Sequence, residues 1–303
     1  MARTSITNCT LAVVLAGLLQ VGPALAAPMT THSTDFTGFG LGSVNGQGGW
    51  SVSNPSFDQA VVDVSGNRVL RLSNQFGSGS FGDQPFAPRP GGTGMTAGDP
   101  TNSQPQFFAG ESSTGATYNR FIGSFDFRSV ATDASDTGAR ITVSPDNGQG
   151  GRQSFAALEN VAAGVRLSTF DINPLTGAFI GPQTIGTVGF GQWANLSFEI
   201  DFNNGPSNDI ARILLNGLLV STINSWENFY SITQPLLHPN GVPVQTLLYR
   251  ISGTSLPNAQ GFYIDNVRVA LGNQVAVAEP ATLALFGAAL AFLGVVRRRR
   301  RQA

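Results

Sequence analysis

The chain has 303 residues, 41% of them hydrophobic and only 12% charged, with 37 Gly and 17 Pro. All 17 basic residues are Arg, there is one Cys, and the two His are His32 and His238, which argues against a His-rich metal centre and against most His-dependent acid–base chemistry. The formal net charge is −1, but it falls to about −6 once Arg3, Glu279 and the terminal arginines are set aside, and an acidic, lysine-free body excludes nucleic-acid binding, which needs a cationic patch.

The chain opens on Arg3, an apolar run over residues 11–21 and the small residues Ala24-Leu25-Ala26. That is the three-part layout of a secretory signal peptide, with signal peptidase cutting after Ala26. Gly22-Pro23 breaks the run before it can serve as a membrane span. Cys9 leaves with the peptide, so the exported body has no cysteine and must be held by core packing alone.

From Asp35 onward the apolar residues recur mostly with period two, which predicts strands. Phe121, Gly123, Phe125 and Phe127 share one face, with Arg120, Ser124, Asp126 and Arg128 on the other. Leu196, Phe198, Ile200 and Phe202 alternate in the same way with Ser197, Glu199, Asp201 and Asn203. Asn216-Gly217 sits between two apolar triplets and suits the left-handed positions of a two-residue hairpin turn. Further strands are expected over 60–64, 69–72, 140–143, 153–158, 164–170, 179–180, 184–188, 246–251 and 262–269. Residues 76–117 read as a long Gly/Pro/Ser-rich loop, of a length that is functional or mobile in compact domains. Helical periodicity is nearly absent between the termini. The expected class is all-β: two stacked antiparallel sheets, a β-sandwich of jelly-roll type, over residues 27–275.

The chain closes on Glu279-Pro280, an apolar stretch over 281–296 and the arginines Arg297, Arg298, Arg299, Arg300 and Arg301. As a helix the stretch spans about 24 Å, close to a bilayer core. The arginines would hold its end in the cytoplasm. Residues 276–303 are therefore expected to be a single transmembrane anchor.

Three constellations could carry chemistry. Glu199 and Asp201 share a strand face about 7 Å apart and could serve as a carboxylate pair for glycoside hydrolysis. A solvated strand face is the competing reading. Asp201, Asn203, Asn204, Asn208 and Asp209 make an oxygen-rich loop suited to Ca2+, a hard ion that takes six to eight oxygens. Asx turns, which bond their own backbone, are the plainer explanation for such loops. Among the aromatic residues, Trp193 is expected in the core at the start of a buried strand. Trp226, with Glu227 and Tyr230, has the better claim to a sugar-binding surface.

The tail Ala278-Glu279-Pro280-Ala281-Thr282, with the apolar span and basic end behind it, resembles the PEP-CTERM sorting signal, with Ala278 where that family carries its first Pro. The resemblance implies handling by an exosortase, which cuts near the motif and passes the protein from the inner membrane to the cell surface or matrix. The body resembles the concanavalin A-like lectin and glucanase sandwich, including its laminin-G-like branch. The residues that carry this likeness are Asp35-Phe36-Thr37-Gly38, Gly46-Gln47-Gly48-Gly49-Trp50, Gln192-Trp193 with the strand behind it, Asn216-Gly217 and Tyr263-Ile264-Asp265-Asn266-Val267. A sandwich of this kind serves lectins, hydrolases and adhesive spacers alike. The expectation is an exported cell-surface or matrix protein that binds extracellular polysaccharide without catalysis. The alternatives are a carbohydrate-active hydrolase using Glu199 and Asp201, and a purely structural surface or biofilm protein.

Overall fold

Strands that alternate apolar and polar side chains present one oily face each, and two sheets of them leave water by stacking those faces together. The computed structural model describes residues 29–53, 58–73, 85–92, 94, 118–148, 150–203, 208–233, 244–251 and 259–273, all within the unit Pro28–Asn273. The expected signal peptide (1–26) and the sorting and anchor segment (276–303, with Glu279, Pro280 and Arg297 to Arg301) lie outside the described residues. Among the described residues no helix is long and apolar enough to cross a membrane.

The described strands are β1 (Thr30–Thr34), β2 (Gly42–Ser43), β3 (Ser51–Val52), β4 (Asp58–Val64), β5 (Asn67–Ser73), β6 (Pro85–Phe86), β7 (Arg120–Ser129), β8 (Arg140–Asp146) and β9 (Ala156–Val161). They continue as β10 (Gly164–Ile172), β11 (Phe179–Val188), β12 (Ala194–Asp201), β13 (Ile210–Leu215), β14 (Leu218–Asn224), β15 (Thr246–Ile251) and β16 (Phe262–Gly272). A short helix, α1 (Glu227–Thr233), follows β14. A nine-stranded sheet runs β14-β13-β12-β7-β16-β5-β4-β2, with β1 also paired to β16. A seven-stranded sheet runs β11-β10-β9-β8-β15-β6-β3. Every ladder is antiparallel, and the fold is the expected β-sandwich.

The period-two faces land where they were read. Phe121, Phe125, Phe127, Leu196, Phe198 and Ile200 of the nine-stranded sheet are fully buried against Ile141, Val143, Leu158, Leu167, Leu247 and Tyr249 of the seven-stranded one. The hairpin turn forms as expected, with Asn216 at φ 51° and Gly217 at φ 76°. Three expectations need correction. Residues 179–180 and 184–188 are one strand, β11, with register shifts against β10 rather than a break. The strand read over 153–158 begins only at Ala156. The expected loop 76–117 contains β6, which bridges β15 and β3; a two-residue strand is too short for any period to show.

One buried carboxylate pins the ends of several strands. Asp136, in a 3-10 turn after β7, accepts the Gln260 and Gly261 backbone N–H groups (2.9 Å each) and the Asn160 side-chain amide (3.0 Å). It thereby ties the entry to β16 to the end of β9. Gly261 is at φ 76°, and a Cβ there would sit 2.0 Å from the Leu72 carbonyl oxygen, so only glycine fits this crossing.

Since Phe125 is fully buried and Ser197 lies on the outer face opposite Ser124, the two should respond differently to truncation. Phe125→Ala is expected to cost about 3–5 kcal/mol. Ser197→Ala should stay within about 0.5 kcal/mol. Urea midpoints of the two variants check this, and equal shifts would reverse the assigned faces.

Candidate functional site

The inner faces of both sheets are consumed by the core, so chemistry belongs to the outer faces and the ends of the sandwich. On the outer face of the nine-stranded sheet the charges are largely spent on one another. Arg120 on β7 donates to Glu199 on β12 (2.9 Å), and Asp201 on β12 bonds Arg212 on β13. The register puts Asp201 opposite Arg120 and Glu199 opposite Arg212, so these bonds run diagonally between neighbouring strands. Asp58 holds Arg71 through both carboxylate oxygens (2.9 Å each), and Asp126 accepts from Asn195 and Asn266 (2.8 Å each). Glu199 and Asp201 do share a face, as read from the sequence, but they belong to a ladder of ion pairs rather than to two carboxylates facing a cleft.

The calcium expectation meets the same obstacle. Asp201 is turned toward Arg212, whereas Asp209 caps the Asn203 backbone N–H at 2.7 Å. The Asn203 amide donates to the Asn208 carbonyl at 2.8 Å. Asp201, Asn203 and Asp209 thus serve three separate local bonds, the pattern of an Asx-stabilised turn. Among the described residues no group of three or more His, Cys, Asp or Glu could hold a metal ion.

The surface expected at Trp226, Glu227 and Tyr230 is an interior. Trp226 is only 6% exposed, Tyr230 4%, and Glu227 fully buried. They sit at the start of α1, where the Ser225 hydroxyl accepts the Glu227 N–H (3.2 Å). The helix, through Phe229 and Tyr230, folds back with Trp226 on Ile172 and Phe155 to make a second apolar cluster, with Phe179 packed on Trp226 at 4.8 Å. Glu227 accepts the Asn208 and Asp209 N–H groups (2.9 and 3.2 Å), which fastens the helix to the β12–β13 loop. The Tyr230 hydroxyl accepts the Arg152 N–H (3.0 Å), and burial pushes its pKa up to about 12 against a partial offset from Arg152. These residues hold the end of the sandwich shut and have no face to offer a ligand.

Trp193 is corrected in the opposite sense. It is 42% exposed and stands on the outer face of the nine-stranded sheet, against Arg128. Strand parity contains the reason: Ala194, Leu196, Phe198 and Ile200 point inward, so the residue before Ala194 points outward.

The outer face of the seven-stranded sheet differs from its counterpart. Arg250 on β15 stands opposite Thr142 on β8, Thr142 opposite Ala157 on β9, and Ala157 opposite Ser168 on β10. One row along, Arg140, Glu159 and Arg166 follow one another, with Arg166 donating to Glu159 at 2.7 Å. These two rows carry three arginines against one carboxylate. The hydroxyls of Thr142 and Ser144, two residues apart on β8, are buried with no hydrogen-bond partner. Sequence reasoning missed this face because its polar residues are scattered over four strands that only the register brings into line.

No family model matches the chain, and no curated protein matches it. Among solved structures it is similar to alginate lyase Aly36B bound to an alginate tetrasaccharide, at 16% identity and a TM-score of 0.45, covering 79% of this chain and 96% of that one. An endo-beta-1,4-glucuronan lyase from the fungus Trichoderma reesei is similar at 15% identity and a TM-score of 0.35, covering 81% and 96%. A botulinum neurotoxin type C structure, described for its interaction with two ganglioside molecules, is similar at 13% identity and a TM-score of 0.42, covering 85% of this chain and half of that one. The likeness is one of fold. The body is a β-sandwich, as the two stacked antiparallel sheets show. The expectation of polysaccharide binding without catalysis is corrected by the same comparison, in which similar structures are polysaccharide lyases, and it is withdrawn.

Because Asp201, Asn203 and Asp209 each hold a protein partner, with Asn204 outside the described residues, thermal melts of the protein in calcium and in chelator should coincide. A melting temperature raised by calcium and insensitive to magnesium would restore an ion to this turn.

Proposed function

We propose that the chain is an exported carbohydrate-active enzyme that works on an acidic polysaccharide across the outer face of the seven-stranded sheet. The observation that carries this reading is the arginine excess of that face, where Arg250, Arg140 and Arg166 share two rows with one carboxylate, Glu159. A sugar carboxylate is an acceptor only, and a guanidinium offers it a planar fork of donors that stays charged at any working pH. Neutralising that carboxylate also lowers the cost of removing the proton from the carbon next to it, the demanding step of eliminative cleavage. Within this reading Arg250 is the group that meets the carboxylate. The described residues of this face supply the charge-neutralising half of the chemistry and no histidine.

The hydrolase alternative through Glu199 and Asp201 falls on the opposite sheet and finds both carboxylates in ion pairs. One experiment separates the two. Full-length protein is incubated with polyuronates and with neutral glucans, and new chain ends and the absorbance of unsaturated product are followed. Cleavage of an acidic polymer with unsaturated ends is expected, and Arg250→Gln should lower kcat/KM by about 100-fold or more. Glu199→Gln should leave the rate unchanged. Cleavage that survives Arg250→Gln and vanishes in Glu199→Gln would overturn the reading in favour of hydrolysis, as would failure to cut any acidic polymer.

The location that goes with this activity is extracellular. The signal-peptide layout over 1–26 and the Glu279-Pro280 tail support export, inner-membrane anchoring and exosortase sorting to the surface or matrix. Mass spectrometry of the native protein should find no peptide from residues 1–26, and the released form should lack the apolar stretch 281–296. An intact apolar tail on released protein would remove the sorting step.

A further inference from the structure

We infer that Trp193, Arg128 and Tyr263 form a second saccharide subsite, on the outer face of the nine-stranded sheet, that takes a carboxylate of an acidic polysaccharide. It lies on the opposite sheet from the cleavage face proposed above and depends on different residues. Tyr263 on β16 stands directly opposite Arg128 on β7. Ala194 pairs with Phe127, which sets Trp193 against Arg128 from the other side. The Arg128 guanidinium carbon is 5.0 Å from the Trp193 ring centre and 5.1 Å from that of Tyr263.

Two rings hold this cation without neutralising it. A ring quadrupole attracts a guanidinium but is no counter-charge. Arg71, Arg120 and Arg212 on the same sheet each bond a carboxylate, whereas Arg128 bonds none among the described residues, and its Nε is buried without a partner. The nearby acids are committed elsewhere, Asp126 to Asn195 and Asn266, and Asp58 to Arg71. With its faces flanked by rings, the guanidinium has its N–H edge left to offer, and that edge matches a carboxylate bidentately.

The flanking rings choose the kind of molecule that brings the carboxylate. Trp193 is the one tryptophan of the three that shows substantial surface, at 42% exposure. A large ring in water beside a fixed cation suits the apolar face of a pyranose with a carboxylate at its edge. Trp193 and Tyr263 stand two strand spacings apart, roughly 10 Å, a span two linked sugars can cover. An acidic peptide would satisfy Arg128 but would leave the rings without a flat partner.

Calorimetric titration of full-length protein with a short oligouronate, a neutral glucan oligomer of equal length and a polyglutamate peptide tests this. The Arg250→Gln variant also serves as the background, so that cleavage does not obscure binding. The oligouronate is expected to bind and the neutral oligomer not. Arg128→Gln and Trp193→Ala should each weaken binding by about tenfold or more. Arg128→Lys, which keeps the charge and loses the fork, should fall between wild type and Arg128→Gln, and guards against a variant that merely misfolds. Arg250→Gln should lower turnover about 100-fold while leaving the part of the binding that depends on Trp193 and Arg128 unchanged, so the two faces can fail independently. Wild-type affinity in Arg128→Gln, or polyglutamate binding tighter than oligouronate, would overturn the subsite.

Discussion

Phe125 packs edge-on against Tyr249 at 5.3 Å, and Tyr249 leans on Trp50 at 5.7 Å. That chain of rings crosses from the nine-stranded sheet to the seven-stranded one, and the rest of the molecule depends on it. Trp50 continues to Phe36, and Phe36 to Phe39, so the aromatic seam runs to the edge of the sandwich. The only cysteine, Cys9, lies outside the described body, so inter-sheet packing has to supply what disulfides supply in many exported domains. Aromatic pairs of this geometry add about 0.5–1.5 kcal/mol each beyond the area they bury. The excess of Phe over Tyr, 21 to 4, fits that role, because a phenyl ring fills the interlayer without a hydroxyl to satisfy. Tyr249 is the exception: its hydroxyl is buried without a partner, and burial drives its pKa well above the ordinary value.

Committing both inner faces to the seam leaves two outer faces, and they are built on different electrostatic terms. The nine-stranded sheet matches Arg71, Arg120 and Arg212 with carboxylates on adjacent strands, pairs that are worth little individually at a surface. Arg128, which has no carboxylate partner among the described residues, is held between aromatic rings. The seven-stranded sheet sets Arg140, Arg166 and Arg250 against Glu159 alone in its two central rows. In a body of net negative charge, that local excess of arginine is a field that draws anions to one face.

What the sequence disclosed followed the range of the interaction involved. Alternation is local, so the buried faces of β7 and β12 and the Asn216-Gly217 turn could be read from neighbouring residues. The two-residue strands β2, β3 and β6 carry no period and exist only because longer strands offer them an edge. Trp193 and Trp226 show the contrast within one residue type. Parity already places Trp193 outside, whereas Trp226 is buried by Phe155 and Phe179, partners some 47 to 71 positions away that no local pattern announces. Glu199 and Asp201 were rightly put on one face, but their arginine partners come from strands 79 and 11 residues distant. The pattern gives the face of a charge, and only the register gives its partner.

That distinction explains why composition served as a better guide to chemistry than motif. Arginine as the sole basic side chain means that every cation in the body is a planar fork that cannot give up its charge. A fork without a protein carboxylate is available to a carboxylate in a ligand. Short acidic motifs such as Glu199-Ile200-Asp201 pointed to one outer face, and there the forks and carboxylates largely cancel. Where they fail to cancel, at Arg128 and in the row that sets Arg140 and Arg166 against Glu159, the register of neighbouring strands made the imbalance. Which arginines of the sheet meet a carboxylate is therefore decided by strand pairing rather than by any contiguous motif.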